Sequence, residues 1–162
     1  MSSVRERIMQ LVKAKLETIT TGNGYNNTIN TVERTRTTPV NKSEMPCIFI
    51  YEDGENVSAI GGTVNLGLYE NQLSLILECW IKDDSTEKGT QLNALLEDVI
   101  KAMQENYSWT DGGGTSLAVD TQYQGNQTLL EFASAKGNGF LALLVNFNII
   151  YRTKFGDLTS LA

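Results

Sequence analysis

Residues 70–106 read ENQLSLILECWIK-DDSTEK-GTQLNALLEDVIKAMQEN, and the change of period inside them decides the fold. From Glu70 to Lys82 the residues alternate. Leu73, Leu75, Leu77, Cys79 and Ile81 share one side of a strand, with Ser74, Glu78 and Lys82 among those opposite. Asp83-Asp84-Ser85-Thr86-Glu87 then offers short oxygen-bearing side chains to cap the free N–H groups of a helix start. The helix is expected to run to about Tyr107, with Leu92, Leu95, Leu96, Val99 and Met103 on one stripe. An apolar strand face followed by an apolar helix stripe is a packing unit.

Upstream, Ser3 to about Ile19 is a second amphipathic helix, carrying Val4, Ile8, Leu11, Val12, Leu16 and Ile19 on one side. Ser3 and Glu6 have the spacing of a capping box. Thr28 to Thr37 reads as an edge strand rich in threonine, and alternation puts Arg34 and Arg36 on one face with Asn30 and Val32. Such a pair of arginines suits the carboxylates of a neighbouring subunit, DNA phosphates, or simply a charged edge that discourages strand addition. Cys47-Ile48-Phe49-Ile50-Tyr51 is apolar without alternation, as expected of a strand covered on both faces. Glu52-Asp53-Gly54-Glu55 reads as an acidic turn; it begins like a calcium loop, but the spacing beyond Gly54 fails. A strand from Asn56 to about Leu66, broken at Gly61-Gly62, then turns over 67–71 into the Glu70–Lys82 strand. The result is a hairpin arm over roughly residues 56–82, too long to stand alone without a sheet or a neighbour beneath it.

Downstream, three glycines in Ser108–Thr115 invite a phosphate-loop reading, but no Gly-Lys-Ser/Thr follows and the next element is a strand. Leu117–Tyr123 and Thr128–Ala133 read as a hairpin joined across Gln124-Gly125-Asn126-Gln127. The last strand, Phe140–Lys154, places Leu141, Leu143, Val145, Phe147, Ile149 and Tyr151 on one face, and residues 155–162 form a short tail. The expected fold is one domain over 1–162: α+β, with a mostly antiparallel, curved sheet, two amphipathic helices on one face and an extended hairpin arm.

Composition narrows the chemistry. The net charge of −6 opposes a general nucleic-acid surface. The chain has no histidine, which removes the usual general base and the commonest zinc ligand. Its two cysteines, Cys47 and Cys79, lie inside strands and are expected as buried, reduced thiols. Glu78 beside Trp80 is a candidate buried carboxylate, yet no partner acid, base or nucleophile can be named for it. We therefore expect no catalytic residue, cofactor or metal. No apolar run approaches the length of a membrane span, and the N-terminus lacks a signal-peptide core, so a cytoplasmic chain is expected.

With both helices assigned to one sheet face, the other face needs a cover. Ile76 and Trp80 on one long strand, and Leu144 and Ile150 on the last, point that way and are expected at a subunit interface. Arg34 and Arg36 join them as interface candidates.

The order of elements resembles that of the tail terminator (tail completion) proteins of long-tailed bacteriophages. The match lies in the N-terminal helix, the arm from Asn56 to Lys82, the central helix, a late hairpin, and a long final strand ending in Tyr151-Arg152-Thr153. The resemblance implies a virion protein assembled in the host bacterial cytoplasm. It would form a homohexameric ring on the head-proximal end of the tail tube and stop polymerisation of the tube protein. It would touch the sheath protein in contractile tails and dock the filled head through neck proteins. DNA would pass through such a ring without specific binding, past an acidic lining to which Asp53, Glu55 and Asp111 are candidate contributors. A head–tail connector of similar architecture and a dimeric small-molecule-binding domain are the alternatives.

Overall fold

The computed structural model describes residues 2–60, 67–83, 87–129 and 139–161. Helix α1 spans Val4–Glu17 and starts where expected, because the Ser3 hydroxyl accepts the Glu6 N–H at 3.1 Å. The reciprocal half of the capping box is missing, since the Glu6 carboxylate is taken by Arg34 and Gln10. Strand β1 is Thr31–Arg34, β2 Cys47–Ala59 and β3 Leu68–Lys82. Helix α2 is Lys88–Glu105, followed by β4 (Asp120–Thr128), β5 (Phe140–Lys154) and β6 (Asp157–Leu161). Of the Asp83–Glu87 stretch expected to cap α2, residues 84–86 lie outside the described residues, as does the break at Gly61-Gly62. The N-cap position falls on Glu87, whose side chain makes no capping hydrogen bond.

The strands form one strongly curled sheet in the order β1-β2-β3-β5-β4, with β6 on β5. Every pairing is antiparallel except β1 with β2. Both helices cover one face. Ile8, Val12 and Leu16 of α1 and Leu95, Val99 and Met103 of α2 are buried with Ile48, Ile50, Leu73, Leu75, Leu77, Val145, Phe147 and Ile149. Burying each such side chain contributes up to about 1.5–3 kcal/mol, so this layer dominates stability. The fold is the α+β architecture with a curved sheet that the sequence predicts.

Several boundaries differ, each for a local reason. Residues 52–55 are not a turn: β2 runs through them, with a bulge between Glu52 and Gly54 where Gly54 takes φ 131°. Residues 68–71 belong to β3, so the hairpin connection falls before them. The arm does not project unsupported, because β3 pairs with β5 along its whole length, from Leu68↔Lys154 to Lys82↔Phe140. Gly125 also marks a bulge, so Asp120–Thr128 is one strand and not the tip of a hairpin; residues 130–133 lie outside the described set. The C-terminal tail is strand β6, reached through a turn at Gly156 (φ 72°).

Candidate functional site

The sheet face away from the helices holds most of the residues singled out above. Its β3–β5 centre alternates Gln72, Ser74, Ile76 and Glu78 with their partners Ile150, Asn148, Asn146 and Leu144. Ile76, Leu144 and Ile150 are half-buried within the single chain, while Ser74 donates to Asn148 at 3.1 Å beside them. The centre of this face is therefore a mixed amide–aliphatic surface.

Trp80 behaves differently. Sequence reading leaves it uncovered, but the chain covers it itself, to 8% exposure, within a small second core of Met45, Cys47, Phe49 and Ala142. Among the described residues, part of its cover comes from Val40 and Met45, in a segment that reaches this face after β1 ends, and part from Leu129 and Phe140. The Phe140 ring meets the indole edge-on at 5.2 Å. The indole N–H donates to the Glu78 carboxylate at 2.6 Å. A cleft of about 330 Å³ opens beside the pair, lined by Thr38, Pro39, Val40, Met45, Glu78, Trp80 and Phe140.

The two arginines part company. Thr35 takes φ 54°, which breaks the alternation and sends Arg34 and Arg36 to opposite faces. Arg34 lies on the helix side and donates to Glu6 at 2.8 Å and to Glu52 at 2.6 Å. Arg36 crosses to the Trp80 side, packs its guanidinium 4.9 Å over the Phe49 ring and grips Glu44 at 2.7 Å. It also donates to the Thr38 and Pro39 carbonyls at 3.2 and 3.0 Å, fixing one wall of the cleft.

The candidate acids are mostly neutralised within the chain. Glu55 accepts from the Tyr151 hydroxyl and lies 3.7 Å from Arg5. Asp111 meets Arg7 at 2.5 Å and accepts the backbone N–H groups of Gly113 and Thr115. Asp53 and Glu55 both lie exposed on the outer half of β2, whereas Asp111 is half-buried. Arg5 also donates to Glu52 at 2.8 Å, so one charge network ties α1, β1, β2 and β5 together.

Titration follows these contacts. The Arg34 hydrogen bond holds the Glu6 carboxyl below its ordinary range. Burial alone would raise Glu52, but Arg34 and Arg5 outweigh it and leave that carboxyl lowered too. Burial pushes the Cys47 thiol up to about 12 and raises Cys79 as well. The two thiols are free and buried in separate cores on opposite sheet faces.

One feature escaped sequence reading. Asp98 of α2 is buried at 2% exposure and accepts the backbone N–H of both Asn26 and Asn27 at 2.8 Å, together with both side-chain amides. Its signal was its place three residues after Leu95 and four before Ala102, on the buried stripe itself. It fastens the loop between α1 and β1 to α2.

Among the described residues no group of three or more His, Cys, Asp or Glu is placed to hold a metal ion. No described helix is long and apolar enough to cross a membrane. No protein-family model matches the chain, and no curated protein matches it significantly.

Proposed function

We propose that this chain is a structural subunit of a phage tail, acting as a tail terminator. Its ring caps the head-proximal end of the tail tube, ends polymerisation and receives the head. The observation that carries this reading is the division of labour in the sheet. Both helices are spent on one face, and the other face carries half-buried Ile76, Leu144 and Ile150. Beyond Glu52, residues 53–59 of β2 are all exposed. A subunit built this way has a closed core and leaves a face and an arm for neighbours.

The acidic lining of such a ring is narrower than the sequence suggests. Glu55 and Asp111 are engaged by arginines of α1, so Asp53 and the overall negative charge carry the repulsion of passing DNA. The Trp80 cleft favours the second reading, a domain that binds a small apolar molecule.

Negative-stain images of the purified protein, alone and with tube subunits, test the proposal. Six-fold rings capping tubes of limited length support it. A persistent monomer that leaves tube length unregulated overturns it, and binding to a portal in place of tube ends assigns the connector role instead.

A further inference from the structure

Strand β5 joins two features that fit one another but lie at its opposite ends. At its start Phe140 lines the Trp80 cleft. Just past its end the turn into β6 presents Phe155, 63% exposed, and β6 presents Leu158, 64% exposed. Single exposed apolar residues are ordinary, but two within four positions at one turn make a compact apolar tip. Tyr69 supports the Phe155 ring from behind at 5.5 Å, and Lys154 precedes it in the chain.

The cleft is built to receive such a tip. Its walls are apolar and aromatic, and among the described residues Glu78 is its one ionisable lining residue. Its outer wall, Thr38–Pro39, is held by Arg36, so the opening exists before anything enters. Its volume, about 330 Å³, exceeds the needs of one aromatic side chain and falls at the small end of ligand sites. Charge matches as well, with a lysine beside the tip and a carboxylate in the cleft.

The tip cannot fill its own cleft. The fifteen residues of β5 separate them, about 50 Å of strand at roughly 3.3 Å per residue. The occupant that fits is the same turn of another copy. We propose that subunits join head to tail, with Phe155 and Lys154 of one copy seated against Trp80, Phe140 and Glu78 of the next. A contact between two different patches is heterologous, so it closes into a ring or runs on as a filament and does not stop at a two-fold dimer. This deepens the ring reading above by naming the contact between neighbours.

Disulfide trapping tests it, since the native thiols are buried. Leu158→Cys, which keeps the Phe155 anchor, and Thr38→Cys are prepared separately, mixed in equal amounts and oxidised. We expect a cross-linked dimer in the mixture, little in either variant alone, and a ladder of multimers from the doubly substituted chain. Self-linking of Leu158→Cys as strong as in the mixture, or no cross-link in any sample at the highest concentration, overturns the proposal. Phe155→Asp, at an exposed turn, is expected to lower the mass measured by light scattering while leaving the circular dichroism spectrum unchanged. An unaltered mass for an oligomeric protein overturns the contact. Six-fold rings that survive Phe155→Asp leave the tail reading standing and remove this contact. A multimer ladder from protein that never caps tubes supports the contact and removes the tail reading.

Discussion

Arg34, the last paired residue of β1, and Glu52 hold the parallel β1–β2 pair together at 2.6 Å. Arg34 also reaches Glu6, so one guanidinium fastens the sheet edge to α1. Replacing it by methionine leaves the Glu6 carboxylate without its guanidinium and Glu52 with Arg5 alone. We expect a loss of about 1–2 kcal/mol by urea denaturation, below the ceiling for charged hydrogen bonds because Arg34 keeps 26% and Glu6 40% side-chain exposure.

The same contacts set a pH dependence. Glu6 and Glu52 have folded-state pKa values lowered from the usual 4.5, so the folded state holds its carboxylates ionised more readily than the unfolded chain. Their contribution is complete above the unfolded value and is lost as pH falls through the folded one. Urea midpoints measured from pH 7 down to pH 3 are expected to hold until about pH 5 and then fall. The fall is expected to be shallower in Arg34→Met, and an identical slope would remove this pair as its cause.

Asp98→Ala strips the partner from the part-buried backbone N–H groups of Asn26 and Asn27. Leaving them unpaired costs about 2–4 kcal/mol. Amide exchange at Asn26 and Asn27 is expected to accelerate well before global unfolding, which separates loss of this anchor from general destabilisation.

Thr35 is exposed and sits at φ 54°, a conformation that a β-branched residue resists. Thr35→Gly removes that resistance and adds flexibility to the unfolded chain, for a net gain of about 0.5 kcal/mol in thermal or urea denaturation. It also frees Arg36 from a fixed exit direction, so a slower or weaker self-association in this variant is the expected accompaniment.

The thiols give a check on burial. Neither Cys47 nor Cys79 is expected to react with a disulfide reagent at pH 8 in the native protein, and both are expected to react in guanidinium. Rapid labelling of Cys47 alone would mean that the small core beneath the cleft opens.

Periodicity made the large elements legible. The face shared by Leu73, Leu75, Leu77, Cys79 and Ile81 is buried as the alternation predicts, and the Leu95–Val99–Met103 stripe is buried opposite it. Glycine was where local reading failed. Gly54 and Gly125 sit beside Asp or Asn and signal a turn, but the same pairing also suits a bulge, and only registration against β3 and β5 decides between them. The cover over Trp80 was hidden because part of it comes from Val40 and Met45, far away in the chain. The split of Arg34 from Arg36 was hidden because one backbone angle at Thr35 undoes the two-residue repeat. Site residues are set by such single events, whereas a core is set by many side chains that agree.

The two tryptophans, finally, sit in different optical environments. Trp109 is wholly enclosed in the main core, its N–H held by Thr121 at 2.8 Å. Trp80 borders the open cleft beside a carboxylate. The chain thus carries two emission reporters with separate meanings, one for unfolding and one for occupancy of the cleft. In Trp109→Phe the remaining signal belongs to Trp80 alone, so its change on dilution reads subunit contact directly, without any attached dye.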